Sequence, residues 1–133
     1  MATRPARHVS VSIDRPPAEV YAFASDPSRL PLWARGLSGS IARVGGEWVA
    51  ESPMGKVKVR FAAPNSLGVL DHDVVLLATG DTFHNPMRVV ANGDGSEVVF
   101  TLLRAPGVTD AQLEADAGAV ARDLGALKRL LER

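Results

Sequence analysis

Cysteine is absent from the chain, so disulfides, thiolate nucleophiles and cysteine-based zinc sites are excluded. That absence suits a reducing compartment, and a soluble, cytoplasmic protein is expected. Net charge is absent too: fifteen basic and fifteen acidic residues cancel. No overall field draws the chain to nucleic acid or to an anionic membrane, so neither is expected as a partner. No apolar run approaches the roughly 20 residues needed to span a bilayer, which argues against membrane insertion. The opening Met1-Ala2-Thr3-Arg4-Pro5-Ala6-Arg7 carries charge with no apolar stretch behind it and does not read as a secretory signal. There is no Gly-x-Ser-x-Gly elbow, and Gly93-Asp94-Gly95 is too short to cradle a phosphate, so no cofactor is expected. Internal repeats and low-complexity linkers are also missing.

What is present is a normal globular balance, 46% apolar and 23% charged over 133 residues, the size of one domain spanning 1–133. Val9, Val11 and Ile13 alternate with His8, Ser10 and Ser12, the period of a strand with one buried face. Pro16-Pro17 and Asp26-Pro27 then open two short helices, the second carrying Leu30, Leu32 and Trp33. Gly45-Gly46 and Met54-Gly55 read as hairpin turns. With two-residue turns, Trp48 faces Phe61, Ala50 faces Val59, and Glu51 meets Lys58 on the other side.

Two longer strands, 69–78 and 82–92, join near Gly80. Leu70, His72, Val74 and Leu76 then share a face with Phe83, Asn85, Met87 and Val89, while Asp71 and Asp73 lie opposite, near Arg88. Asn92-Gly93-Asp94-Gly95 turns the chain into a strand whose Val98, Phe100 and Leu102 join the apolar face. Thr109 and Gln112 form a capping box. Behind it Leu113, Ala117, Val120, Leu124, Leu127 and Leu131 make one apolar stripe on a long helix over 109–132. Gly118 and Gly125 weaken that helix by about 1 kcal/mol each relative to alanine, and either let it pass close to the sheet or leave room beneath it.

The order is strand, two short helices, six antiparallel strands, long helix. With His8-Val9-Ser10-Val11-Ser12-Ile13, Pro17-Ala18-Glu19-Val20-Tyr21-Ala22-Phe23, Asp26-Pro27 and Leu32-Trp33, it resembles the START-like helix-grip superfamily (SRPBCC). Gly68-Val69-Leu70-Asp71-His72-Asp73 and Asn85-Pro86-Met87-Arg88-Val89-Val90 resemble a bacterial polyketide cyclase/dehydratase-like subgroup. The resemblance implies an α+β helix-grip fold: a curved seven-stranded antiparallel sheet around a long C-terminal helix, with two short helices after the first strand. It also implies a cavity between sheet and helix for an apolar or aromatic ligand. One scaffold of this kind hosts many functions, so the activity has to be argued from the site.

Three readings compete: binding of a small apolar or aromatic molecule, a cyclase, aromatase or dehydratase-like enzyme, and a structural or regulatory dimer whose cavity its own side chains fill. The expected ligand-contact residues are Trp33, Trp48, Phe61, His72, Asn85, Met87, Phe100, Leu113 and Ala117. His72 points inward on its strand. It is the one candidate for catalysis, against the plainer readings of a satisfied buried histidine or a ligand contact. His72 and His84 fall on opposite faces, and a metal site is not expected. Arg43 and Arg104 belong at the rim. On the outer face Val49, Val75, Leu77, Val90, Val99 and Leu103 form more apolar surface than a monomer usually shows, so a homodimer, or a covering loop or helix, is expected.

Overall fold

The computed structural model describes residues 2–133; Met1, the first residue of the opening segment read above, lies outside them. The chain forms β1 (Ala6–Ile13), α1 (Pro17–Ala24), a 3₁₀ turn (Pro27–Arg29) running into α2 (Leu30–Trp33), β2 (Ser40–Val44), β3 (Glu47–Ser52), β4 (Gly55–Phe61), β5 (His72–Leu76), β6 (Thr82–Asn85), β7 (Met87–Asn92), β8 (Gly95–Leu103) and α3 (Asp110–Leu131). Every strand pair is antiparallel. The α+β architecture with its long C-terminal helix is as expected, and α3 opens on the predicted capping box, in which Thr109 and Gln112 satisfy each other's backbone N–H.

The single seven-stranded sheet is not what forms. The described residues form eight strands in two sheets, ordered β1-β8-β7 and β2-β3-β4-β5-β6. Proline explains the difference. The run 82–92 was expected to be continuous, but Pro86 has no N–H to give the ladder, and the strand divides there into β6 and β7. Three contacts hold the two halves together. Leu70 N–H donates to the Met87 carbonyl at 2.8 Å, and Val89 N–H donates to the Gly68 carbonyl at 2.9 Å. The Asp71 carboxylate accepts from Met87 N–H at 2.9 Å and grips the Arg88 guanidinium through Nε and Nη2 at 3.1 and 2.8 Å. Residues 68–70 therefore run beside β7, and two residues later the same chain pairs with β4 and β6.

A second correction concerns the β3–β4 hairpin. Its turn is Pro53-Met54, one residue earlier than read, so Trp48 pairs with Val59, Ala50 with Val57, and Glu51 with Lys56 at 3.8 Å. The shift is two residues along the partner strand, an even number, so every side chain keeps its predicted face. The outer pairing also rearranges: Arg88 takes Asp71, while Asp73 takes the exposed His84 at 2.6 Å. Leu77, Val90 and Leu103 on the outside stay 44%, 48% and 47% exposed, so the chain's described residues do not cover them.

α3 lies along β1 and runs in the same direction. Lys128 Nζ donates to the Ser12 carbonyl near one end, and Arg7 pairs with Glu114 near the other. Its Leu124, Leu127 and Leu131 are sealed in the core with Ile13, Val20, Leu30 and Trp33. A Cβ placed on Gly118 or Gly125 would meet only an arginine of the same helix, at 3.7 and 3.4 Å, so neither glycine is there for a close approach to the sheet.

Gly68 is the glycine the architecture requires. Its φ is +73°, and a Cβ there would stand 2.1 Å from the Val89 carbonyl oxygen. Gly68→Ala is expected to cost about 2–4 kcal/mol in urea unfolding, combining left-handed strain with a backbone clash at the seam. Gly93→Ala, also left-handed but with open space around it, should cost only about 1–2 kcal/mol.

Candidate functional site

The inner faces of the two sheets form one apolar floor. Cross-strand pairs place Trp48 with Val59, Phe61 with His72, His72 with Asn85, Met87 with Phe100, and Val9 with Phe100 on that side. Val57, Val59, Val74, Met87, Val89 and Val98 are fully buried. Trp48, Phe61, Phe100 and Leu102 are half-buried, and Phe83, on the edge strand β6, is 38% exposed. The floor is thus closed beneath the C-terminal half of α3, where Leu124 and Leu127 are sealed. Along the N-terminal half of α3, Leu113 is only half-buried, and Ala117 is buried outside the core cluster that Leu124 and Leu127 join. Arg43 sits at the rim with its guanidinium 5.7 Å from the Trp48 ring, and Arg7 closes the far end on Glu114.

Six of the nine expected contact residues, Trp48, Phe61, His72, Asn85, Met87 and Phe100, gather on this floor, while Ala117 and Leu113 are on α3, the first buried and the second half-buried. Trp33 stands apart on α2, which packs against α3 and β2. Its indole Nε1 is enclosed and has no hydrogen-bond partner, the one such side-chain atom among the described residues. A donor in that state lacks an acceptor that water or a ligand would supply. Two surface clefts of about 410 and 370 Å³ lie elsewhere, one around Arg4 and Arg104 before α3, the other around Asp14, Asn92 and Lys128; none of the nine residues lines either.

His72 is the polar centre of the floor. It is 95% buried (5% exposed) between two aromatic rings, with Phe61 at 5.0 Å and Phe100 edge-on at 5.8 Å between centroids. Its Nδ1 lies 3.0 Å from the carbonyl oxygen of Leu70. Burial pushes its pKa below the ordinary histidine value of 6.5, because desolvation disfavours the imidazolium, and the Leu70 carbonyl and the charges of Asp71 and Asp73 offset that only in part while His84 adds to it. The ring is therefore neutral at pH 7. Asn85, its partner across the ladder, is half-buried and makes no side-chain hydrogen bond within the described residues. His84 is on the outer face beside Asp73, so the two histidines of the hairpin do not converge.

The sequence reading missed the residues that organise the loop leading to His72. Asn65 organises the loop before β5: its Oδ1 accepts from Leu67 and Val69 N–H and its Nδ2 donates to Ala63 and Val69 carbonyls, all at 3.0–3.1 Å. The Tyr21 hydroxyl of α1 accepts the Asn65 backbone N–H at 3.0 Å. Pro64-Asn65-Ser66 carried a turn signal, but nothing local announced that one asparagine would tie both ends of the loop. Asp71, read as lying near Arg88 on the face opposite His72, does pair with it and is the clamp of the seam; the Arg88 hydrogen bond holds its carboxyl below the usual carboxylate range.

Comparison with known proteins agrees with this architecture. The sequence matches the family described as polyketide cyclase / dehydrase and lipid transport over residues 6–132, and the chain belongs to that family. No curated protein matches the sequence. Among solved structures, DynU16, a putative protein of the dynemicin biosynthetic locus, superposes with a TM-score of 0.73 at 17% identity, covering 96% of this chain and 47% of that one. This chain thus corresponds to about half of DynU16. The Aha1 dimer from Colwellia psychrerythraea gives 0.74 at 15% identity, covering 96% of each chain. A point mutant of norcoclaurine synthase from Thalictrum flavum, solved with a transition-state analogue, gives 0.68 at 15%, covering 98% of this chain and 96% of that one. At these identities the likeness is one of fold.

Burial of a neutral histidine makes stability depend on pH with a definite sign. Below about pH 6.5 the unfolded chain protonates His72 while the folded chain does not, so the unfolded state binds more protons and stability falls as pH falls. Urea unfolding at pH 7.5, 6.5 and 5.5 should show the native protein losing stability relative to His72→Phe as pH drops, each unit of pKa depression being worth about 1.4 kcal/mol.

Proposed function

We propose that this member of the polyketide cyclase / dehydrase and lipid transport family binds a small apolar or aromatic molecule on the inner floor, under the N-terminal half of α3. One observation carries the reading: a neutral histidine, buried between Phe61 and Phe100, is the polar centre of an apolar face on which Trp48, Phe61, Phe100 and Leu102 remain only half covered. A loosely covered apolar floor with one or two polar groups is the usual makeup of a small-molecule site. Trp48, Phe61, Met87, Phe100, Leu113 and Ala117 would supply apolar contact, and His72 with Asn85 would orient the ligand. Trp33, whose indole N–H lacks a partner, would serve the same interior from α2.

A second reading rests on the same histidine. A neutral imidazole on an otherwise apolar floor can take a proton from a bound substrate, which is what a cyclase or dehydratase-type reaction needs. Binding retained with turnover abolished in His72→Phe would favour it over simple carriage.

The primary reading is tested by titrating the protein with N-phenyl-1-naphthylamine and following its fluorescence. Saturable binding at one site per chain is expected. Ala117→Leu, which adds volume at the one sealed small residue in this half of the helix, should weaken it at least about tenfold, the equivalent of about 1.4 kcal/mol, with a melting temperature close to the native value. No saturable binding, or binding indifferent to Ala117→Leu, would sink the reading.

A further inference from the structure

The hydrogen bond that His72 makes to its own strand dictates what its other nitrogen can do. The Leu70 carbonyl oxygen can only accept, so at 3.0 Å from it Nδ1 must carry the ring hydrogen. In the neutral imidazole the hydrogen is then used, and Nε2 is a bare acceptor. Nε2 makes no hydrogen bond within the described residues, yet it is not among the enclosed atoms left without a partner, where only Trp33 Nε1 appears. It is therefore not fully enclosed, and it stands on the face of β5 that carries the floor.

Asn85 is directly across the ladder from His72, close enough for one small group to touch both, since directly opposed residues hold their Cβ atoms about 4.5–5.5 Å apart. Its amide is unengaged and offers two donors and an acceptor. The cations near this floor are spent or outlying. Arg7 is paired with Glu114, and Arg43 is exposed at the rim against Trp48.

Resting on the binding reading above, we infer that the site selects a neutral apolar ligand tipped by a hydroxyl, an alcohol or phenol, which donates to His72 Nε2 and accepts from Asn85 Nδ2. A ketone or an ether brings only lone pairs, and facing Nε2 it sets acceptor against acceptor. A carboxylate does the same and adds a charge, and among the described residues no arginine or lysine acts on His72 to meet it. Leaving a buried acceptor unpaired is the larger penalty in such discrimination, so the missing hydroxyl hydrogen is felt more than the added bulk of a methyl.

The experiment compares 2-naphthol, 2-methoxynaphthalene and 2-naphthoate, which share one apolar skeleton, by calorimetric titration against the native protein, His72→Phe and His72→Gln. The native protein should prefer the naphthol over the ether by about tenfold or more and bind the carboxylate weakest. His72→Phe should bring naphthol and ether within about twofold of each other, by lowering naphthol affinity. His72→Gln, which can donate as well as accept, should regain the ether. Independently of any ligand, nitrogen NMR of the imidazole should show the hydrogen on Nδ1. Equal affinity of the native protein for naphthol and ether, a preference that survives in His72→Phe, or a hydrogen found on Nε2 would overturn the inference while leaving the binding reading intact. If none of the three probes nor N-phenyl-1-naphthylamine binds, both fall together.

Discussion

The structure turns on a gap in one backbone ladder. Pro86 cannot donate a hydrogen bond, so the strand that would have run through it ends as β6 and begins again as β7. A break of that kind leaves a neighbouring N–H without a strand partner, and Asp71 supplies one from its side chain, accepting from Met87 and holding Arg88 in a two-point grip. Bidentate carboxylate–guanidinium pairs are directional, so the clamp sets an angle as well as adding energy. Partial exposure of the pair keeps its energetic share modest. Gly68 completes the joint by letting backbone lie on backbone beside Val89.

Everything chemical about the floor follows from that joint. His72 begins the strand immediately after Asp71, and its ring meets Phe61 in its own sheet and Phe100 in the other. A flat continuous sheet would have given His72 neighbours along one ladder only. The bend brings rings from both sheets around it and excludes water, which lowers its pKa, and the return of the strand puts the Leu70 carbonyl where it captures Nδ1. Protonation state and tautomer are thus consequences of the fold's geometry, not of the imidazole itself.

The helix closes this floor unevenly for a simple reason. Its C-terminal half carries leucines that join the core with residues of β1, α1 and α2, whereas its N-terminal half buries only the small Ala117 and is tied at the edge by Arg7 and Glu114. Small residues remove dispersion contacts that bulkier ones would make, and the aromatic floor beneath is left partly uncovered. Leucine packing is thus concentrated at one end of the helix, and the floor proposed for ligand binding lies toward the other.

Much of this was legible in the chain before it folded. Alternation in Val9, Val11 and Ile13, the Thr109 capping box and the four–three spacing from Leu113 to Leu131 depend on neighbours a few residues away, and local periodicity specified them. The side of each strand that faces inward was equally readable, because a register slip of two residues, as at Trp48 and Val59, returns side chains to the same face. What the chain could not disclose by itself was which polar partners would be chosen: Asp71 bridging the division at Pro86 across distant segments, Tyr21 meeting the loop ahead of β5, and, even between near neighbours, the asparagine that ties that loop and the carbonyl two residues back that chooses a nitrogen of His72. Polar side chains are ambiguous in sequence because each can be solvated, paired or buried at similar local cost. Only the tertiary structure, by deciding which partners and how much water surround them, turns Asp71 into a clamp and His72 into a neutral acceptor.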